Sequence, residues 1–144
     1  MFTAETGIFN PTSMSVCMPY TTKGTNKMSN QLDDLTALVR KFCEERDWDQ
    51  FHTPKDLAIG MVTEASELLD LFRFKTEQDM RDMLLDDHKR NEIGNELADV
   101  LYFLLRFAQL YKFDLGAELV RKMDQNTAKY PVDRAKRSNR KYSE

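Results

Sequence analysis

Long apolar runs are missing from this chain. No stretch approaches the roughly 20 residues that span a bilayer, and the N-terminus lacks the basic start and apolar core of a signal segment. A membrane partner is therefore not expected, and the reading is a cytoplasmic protein. Cysteine is scarce: Cys17 and Cys43 lie in segments of different character, and no short-spaced Cys/His set offers a zinc site. Both are read as unpaired thiols of a reducing compartment. Charge of one sign is missing as well. With 21 Lys and Arg against 24 Asp and Glu the net charge is -3, which leaves no global basic field to suggest nucleic acid as a partner. The one local excess is the tail from Asp133 to Glu144, with Arg134, Lys136, Arg137, Arg140 and Lys141. Finally, no segment alternates with a period of two long enough to be a strand.

What is present is helical patterning. A chain of 144 residues fits one domain with a real core. Residues 1–28 are rich in Thr, Ser, Gly and Pro without a period and are treated as an N-terminal extension, with Met28 able to open a shorter protein. From about Asn30 to Glu45, Leu32, Leu35, Leu38, Val39 and Phe42 recur at three- and four-residue spacing. "RDWDQFH" reads as a loop. Thr53, Pro54 and Asp56 form a strong helix start, and that helix should run to about Phe72. Thr76 with Asp79 repeats the cap pattern and opens a polar, charged stretch. A long helix follows from about Arg90 to Tyr111, and Asp114 caps another from about Leu115 to Lys129, which stops at Pro131. The expected architecture is all-α, most simply a four-helix bundle over residues 29–131, followed by a basic tail over 132–144.

Two of these helices carry acids where solubility does not call for them. Placing residues at about 100° each around an ideal helix, Met61, Ala65, Leu68 and Phe72 form the centre of an apolar stripe. Glu64 falls inside that stripe and Glu67 at its edge, while Asp70 turns toward the polar side. On the next long helix Leu97, Val100, Leu101, Leu104, Phe107 and Ala108 form the expected buried face. Glu96 falls between Phe103 and Phe107, with Asp99 at the edge near Leu110. "EASE" and "ELAD" are thus acidic pairs at i and i+3, neighbours one turn apart. One such pair is readily explained by a solvated face paired with neighbours. Two pairs intruding on apolar stripes call for compensating charge, and Arg73, Lys75 and Arg106 lie near helix ends or on other faces. A divalent metal is the better source. Neither His52 nor His88 is in register for the Glu-x-x-His of a di-iron bundle, and all-oxygen ligation suits Mg2+, with Mn2+ as a substitute, which points to phosphate-ester chemistry.

At these residues a family resemblance emerges. "ERDWDQFHTPKDLAIGMVTEASELLDLFRFK", "NELADVLYFLLRFA", "KMDQNTAKYP" and "SNRKYSE" together resemble the MazG-like all-α nucleoside triphosphate pyrophosphohydrolases, nearest to the dCTP pyrophosphatase branch. The resemblance runs from about Leu32 to Glu144. It implies Mg2+-dependent hydrolysis of a (deoxy)nucleoside triphosphate, dCTP or a related dNTP, to the monophosphate and pyrophosphate, as in house-cleaning of nucleotide pools. Glu64, Glu67, Glu96 and Asp99 would hold the metal and carry the chemistry, with Asp70 a lesser candidate behind them. Substrate contacts would come from Trp48, Asp49, Gln50, Phe51, His52, Phe74, Tyr102, Lys122, Asn126 and Lys141. Arg137, Arg140 and Tyr142 of the tail would close over the triphosphate.

The pattern departs from the family at two positions. Phe74 stands where animal dCTP pyrophosphatases carry Trp, and Val39 where they carry a His that could read the base. Family members assemble as dimers or dimers of dimers, so a homotetramer is expected, with a dimer next. Blander readings stay open: Trp48 and Phe74 as core aromatics, His52 as a hydrogen-bond donor flanking a helix. Two rivals remain, a non-catalytic helical interaction module and the same scaffold acting on another nucleotide such as phosphoribosyl-ATP.

Overall fold

A computed structural model describes residues 25–140, as six helices and no strand among the described residues. They are α1 (Thr25–Glu44), α2 (Pro54–Phe72), α3 (Glu77–Leu85), α4 (Asp87–Tyr111), α5 (Leu115–Lys129) and the short α6 (Val132–Ala135), with a one-turn 3-10 helix at Asp49–Phe51 between α1 and α2. The all-α class expected from the periodicity is the class observed. Residues 1–24, with Cys17, and residues 141–144 lie outside the description.

Local chemistry sets the helix starts. The Thr53 hydroxyl accepts the Asp56 N–H at 3.2 Å with Pro54 in the first turn. Thr76 and Asp79 form a reciprocal capping box, the Thr76 N–H reaching the Asp79 carboxylate at 2.8 Å. Those hydrogen bonds from Thr76 hold the Asp79 carboxyl below its usual range. Asp114 accepts the Ala117 N–H at 2.9 Å. Three boundaries move from the expectation, the first being that α1 begins at Thr25, inside the expected extension, and not near Asn30. The polar stretch after Thr76 holds a helix of its own, α3, and α4 begins at Asp87 because Asp86 caps it through the Lys89 N–H.

The centre of the molecule is the α2–α4 pair, with α1 and α3 both resting on α4. Leu57 of α2 and Ile93, Leu105 and Ala108 of α4 are buried there, and Cys43 of α1 is buried on the other side. One glycine makes the closeness of α2 and α4 possible. A Cβ at Gly60 would stand 2.3 Å from the Phe103 ring, a distance no side chain tolerates. On α1, Cys43 Sγ lies 3.1 Å from the Tyr102 hydroxyl, and the Phe42 ring meets Tyr102 edge-on at 6.2 Å.

The described residues leave much of the apolar patterning uncovered. Ala65, Leu97, Leu101 and Leu104, expected on buried faces, are exposed, and Val62 and Leu69 of α2 remain 67% and 69% exposed. Helix α5 buries no residue. The physical reason is coverage: periodicity marks every apolar face, but among the described residues α2 and α4 mainly cover the faces turned toward each other.

Candidate functional site

Glu64 on α2 and Glu96 and Asp99 on α4 converge. One carboxylate oxygen from each lies within 4.8 Å of the others. Glu64 and Glu96 are half-buried and Asp99 exposed. The Gly60–Phe103 approach explains the convergence, because Gly60 stands about one turn before Glu64 and Phe103 about one turn after Asp99. The contact that lets the helices close is thus next to the acids they bring together.

Glu67, the fourth expected ligand, is exposed and outside the three-carboxylate group, though its charge acts on Glu64. Partial burial raises the Glu64 carboxyl above its ordinary value, and the negative charges of Glu67, Asp99 and Glu96 push it further in the same direction. Among the described residues no Lys or Arg forms an ion pair with any of the four. An uncompensated set of hard oxygen donors fits a hard divalent cation.

The other expected residues divide into groups. Trp48 meets Phe42 edge-on at 5.7 Å and is partly exposed; Phe51 is exposed; Gln50 donates to Asp47 at 3.0 Å. Asp49 and His52 are held by Arg106 of α4. Phe74, between α2 and α3, is 91% exposed with a left-handed φ of 59°, and the Arg73 guanidinium stacks on its ring at 4.8 Å. Together with Asp70, Lys75 and Lys89 it lines a cavity of about 410 Å³. Asp70 also pairs with Arg73 at 3.4 Å.

Tyr102 meets α1 through Cys43 and Phe42. Burial pushes its hydroxyl pKa up, and the bond to Cys43 adds to the shift. Lys122 is exposed and Asn126 half-buried on α5, where the Asn126 carbonyl accepts the Tyr130 N–H at 2.8 Å. Val39 is half-buried on α1. Arg137 and Arg140 are exposed, while Lys141 and Tyr142 lie outside the described residues.

Arg106 is the residue that sequence reasoning misplaced. Set aside as lying near a helix end or on another face, it is completely buried. Its guanidinium donates to His52 Nδ1 at 3.0 Å, to Gln109 Oε1 and to the Asp49 carboxylate. The available signal was a lone cation in the apolar run "LYFLLRFAQL". Its partners, 54 and 57 residues away, leave no mark in local spacing.

Comparison with known proteins fits this geometry. The family model for the MazG-like family matches residues 59–144, which include all four acids. The chain belongs to the MazG-like family. Among MazG-like relatives, human dCTP pyrophosphatase 1 is 38% identical over 113 residues, covering 78% of this chain and 66% of the human protein. The bovine dCTP pyrophosphatase 1 is 34% identical over the same share of this chain and 67% of its own length. The chain thus spans about two thirds of these relatives. A solved structure of a pyrophosphatase from Archaeoglobus fulgidus superposes with a TM-score of 0.64 at 33% identity, covering 70% of this chain and 93% of that one.

Proposed function

We propose that this MazG-like protein is a nucleoside triphosphate pyrophosphohydrolase that cleaves a (deoxy)nucleoside triphosphate, dCTP or a related dNTP, into the monophosphate and pyrophosphate. The observation that carries the reading is the convergence of Glu64, Glu96 and Asp99 without a basic partner, in a family whose relatives include dCTP pyrophosphatases. These three residues, with Glu67 close by, would hold Mg2+. When bound, the ion neutralises the oxygens of the triphosphate and makes the α-phosphorus more open to attack. One of the carboxylates orients the attacking water. The exposed rings of Trp48, Phe51 and Phe74 supply stacking surface for the base, and the polar side chains between Trp48 and His52 supply edge hydrogen bonds. Lys122, Asn126 and the basic tail contact phosphate and nucleoside.

The protein works as a homo-oligomer, a tetramer before a dimer. The exposed apolar residues of α2, with Leu119 and Val120 of α5, support this, because large apolar side chains left in water are characteristic of an interface. Such an assembly would bring α5, and with it Lys122 and Asn126, against a neighbouring site. With Phe74 and Val39 in place of the family's Trp and His, the preference extends beyond dCTP to other deoxynucleotides or pyrimidines.

The deciding experiment measures pyrophosphate release from a panel of dNTPs and NTPs with Mg2+, for wild type, Glu64→Gln and Glu96→Gln. Wild-type turnover that drops roughly a hundredfold or more in both variants is the expected result. No release from any nucleotide, with both variants folded, would leave the acids as a plain bundle face and favour an interaction module.

A further inference from the structure

The acids occupy one end of a line along α4, and Arg106 occupies the other. Seven residues separate Asp99 from Arg106, about two turns, so the two lie on nearly the same face and roughly 10 Å apart along the axis. That is the scale of a nucleoside between its base and its first phosphate. Arg106 is the one buried charged side chain among the described residues. Its position is costly unless every donor is used, and no buried side-chain nitrogen or oxygen among the described residues lacks a partner.

The partners decide the chemistry. An arginine can only donate, so the 3.0 Å contact from its Nε makes His52 Nδ1 the acceptor. A neutral imidazole carries one hydrogen, which must then sit on Nε2. Three further contacts fix the residue: the Arg106 bond to Asp49, the Tyr111 hydroxyl donating to the His52 carbonyl at 3.0 Å, and the Trp48 ring edge-on to the imidazole at 6.4 Å. No described residue takes the Nε2 hydrogen. Burial, and then the Arg106 charge, keep the His52 pKa below its ordinary value despite Asp49, in keeping with a neutral ring.

We propose that Arg106 is a positioning residue that locks His52 as the neutral Nε2–H tautomer, so that the loop from Trp48 to His52 offers a fixed hydrogen-bond donor to an acceptor on the edge of the nucleobase. This rests on the nucleotide reading of the site and adds to it a specificity element held by α4 itself. Base recognition and metal ligation then share one rigid helix, which fixes their separation.

The chain has two histidines, His52 and His88. Long-range 1H–15N correlation spectra of the full chain at neutral pH should show His52 as the Nε2–H tautomer. In Arg106→Lys, which keeps the charge and loses the fork, the His52 pattern should become mixed. Adding dCMP, a metal-independent probe, should shift the His52 Nε2–H resonance. In kinetics, His52→Leu should raise KM for the best nucleotide about tenfold, the worth of one lost hydrogen bond, with kcat within threefold. His52→Gln, whose amide can accept from Arg106 and donate outward, should bring KM back within threefold of wild type.

A charged or Nδ1–H His52, an unmoved resonance with saturating dCMP, or equal KM values for the Leu and Gln variants would overturn the proposal. Turnover of the panel with any of those results leaves the pyrophosphohydrolase reading standing. Absence of turnover with a dCMP-shifted Nε2–H resonance overturns the reaction and keeps the tautomer lock.

Discussion

Two clusters of charge on α4 are solved in opposite ways. Around Arg106, one fully buried cation has a carboxylate, an imidazole nitrogen and an amide oxygen arranged to meet its donors. Around Glu96 and Asp99, three carboxylates with a fourth nearby have no cationic partner among the described residues, and burial, with their mutual repulsion, raises Glu64. The first cluster is closed, its charges met by one another. The second is open, and a cation could meet it. Satisfaction of charge, more than burial of charge, therefore separates the part of this helix that positions a loop from the part that can take up an ion.

The largest test of this contrast adds what the open cluster lacks. Mg2+ at a hundredfold excess over its Kd should stabilise the wild type by about 2.7 kcal/mol, read as a rise in Tm, and Glu96→Gln should lose most of that rise. Equal rises in both proteins would mean that the acids are not the binding site, and the contrast would collapse. Next in size, removing a partner from the closed cluster should cost stability without any metal. Asp49→Ala leaves the buried guanidinium short of its carboxylate, a change worth roughly 3–5 kcal/mol for a fully buried pair. Because the Asp49 side chain is half exposed, about 2 kcal/mol is expected by denaturant unfolding. No loss would show that the Arg106 cluster is not structurally tight.

The smallest effect is electrostatic. The folded-state pKa of Glu64 is raised above its ordinary value of 4.5, so between those two values the native state holds more protons than the unfolded chain. Metal-free stability contributed by this group therefore falls as pH rises through that window. Relative to Glu64→Gln, the wild type should lose on the order of 1 °C in Tm as pH climbs from about 4.5 to neutrality. A gap that widens in the opposite direction would mean that the repulsion is already compensated.

Much of this was legible in sequence, for reasons that particular residues make plain. Thr53–Pro54–Asp56 and Thr76–Asp79 state their caps within four positions, and the observed hydrogen bonds are those the spacing predicts. Glu64, Glu96 and Asp99 could be picked out because Glu64 and Glu96 fall inside apolar stripes and Asp99 sits at the edge of one, and the structure brings them together. Glu67 shares that spacing yet stands outside the group, since an edge position on a helix does not say how far the neighbouring helix reaches. Arg106 was missed because its role is defined by a loop more than fifty residues upstream. Leu97, Leu101 and Leu104 read as core, but the described residues cover them only in part.

Phe74 carries a consequence for how this sequence can drift. An aromatic side chain held at a φ of 59° and almost wholly in water is unfavourable on both counts. Glycine or asparagine would relieve the backbone, and neither would expose a ring. A variant library sorted only for resistance to unfolding should thus empty position 74 of aromatics, whereas one sorted for turnover of nucleotide should keep them. The direction in which the two populations part would distinguish a residue retained for what it contributes to the folded chain from one retained for what it meets.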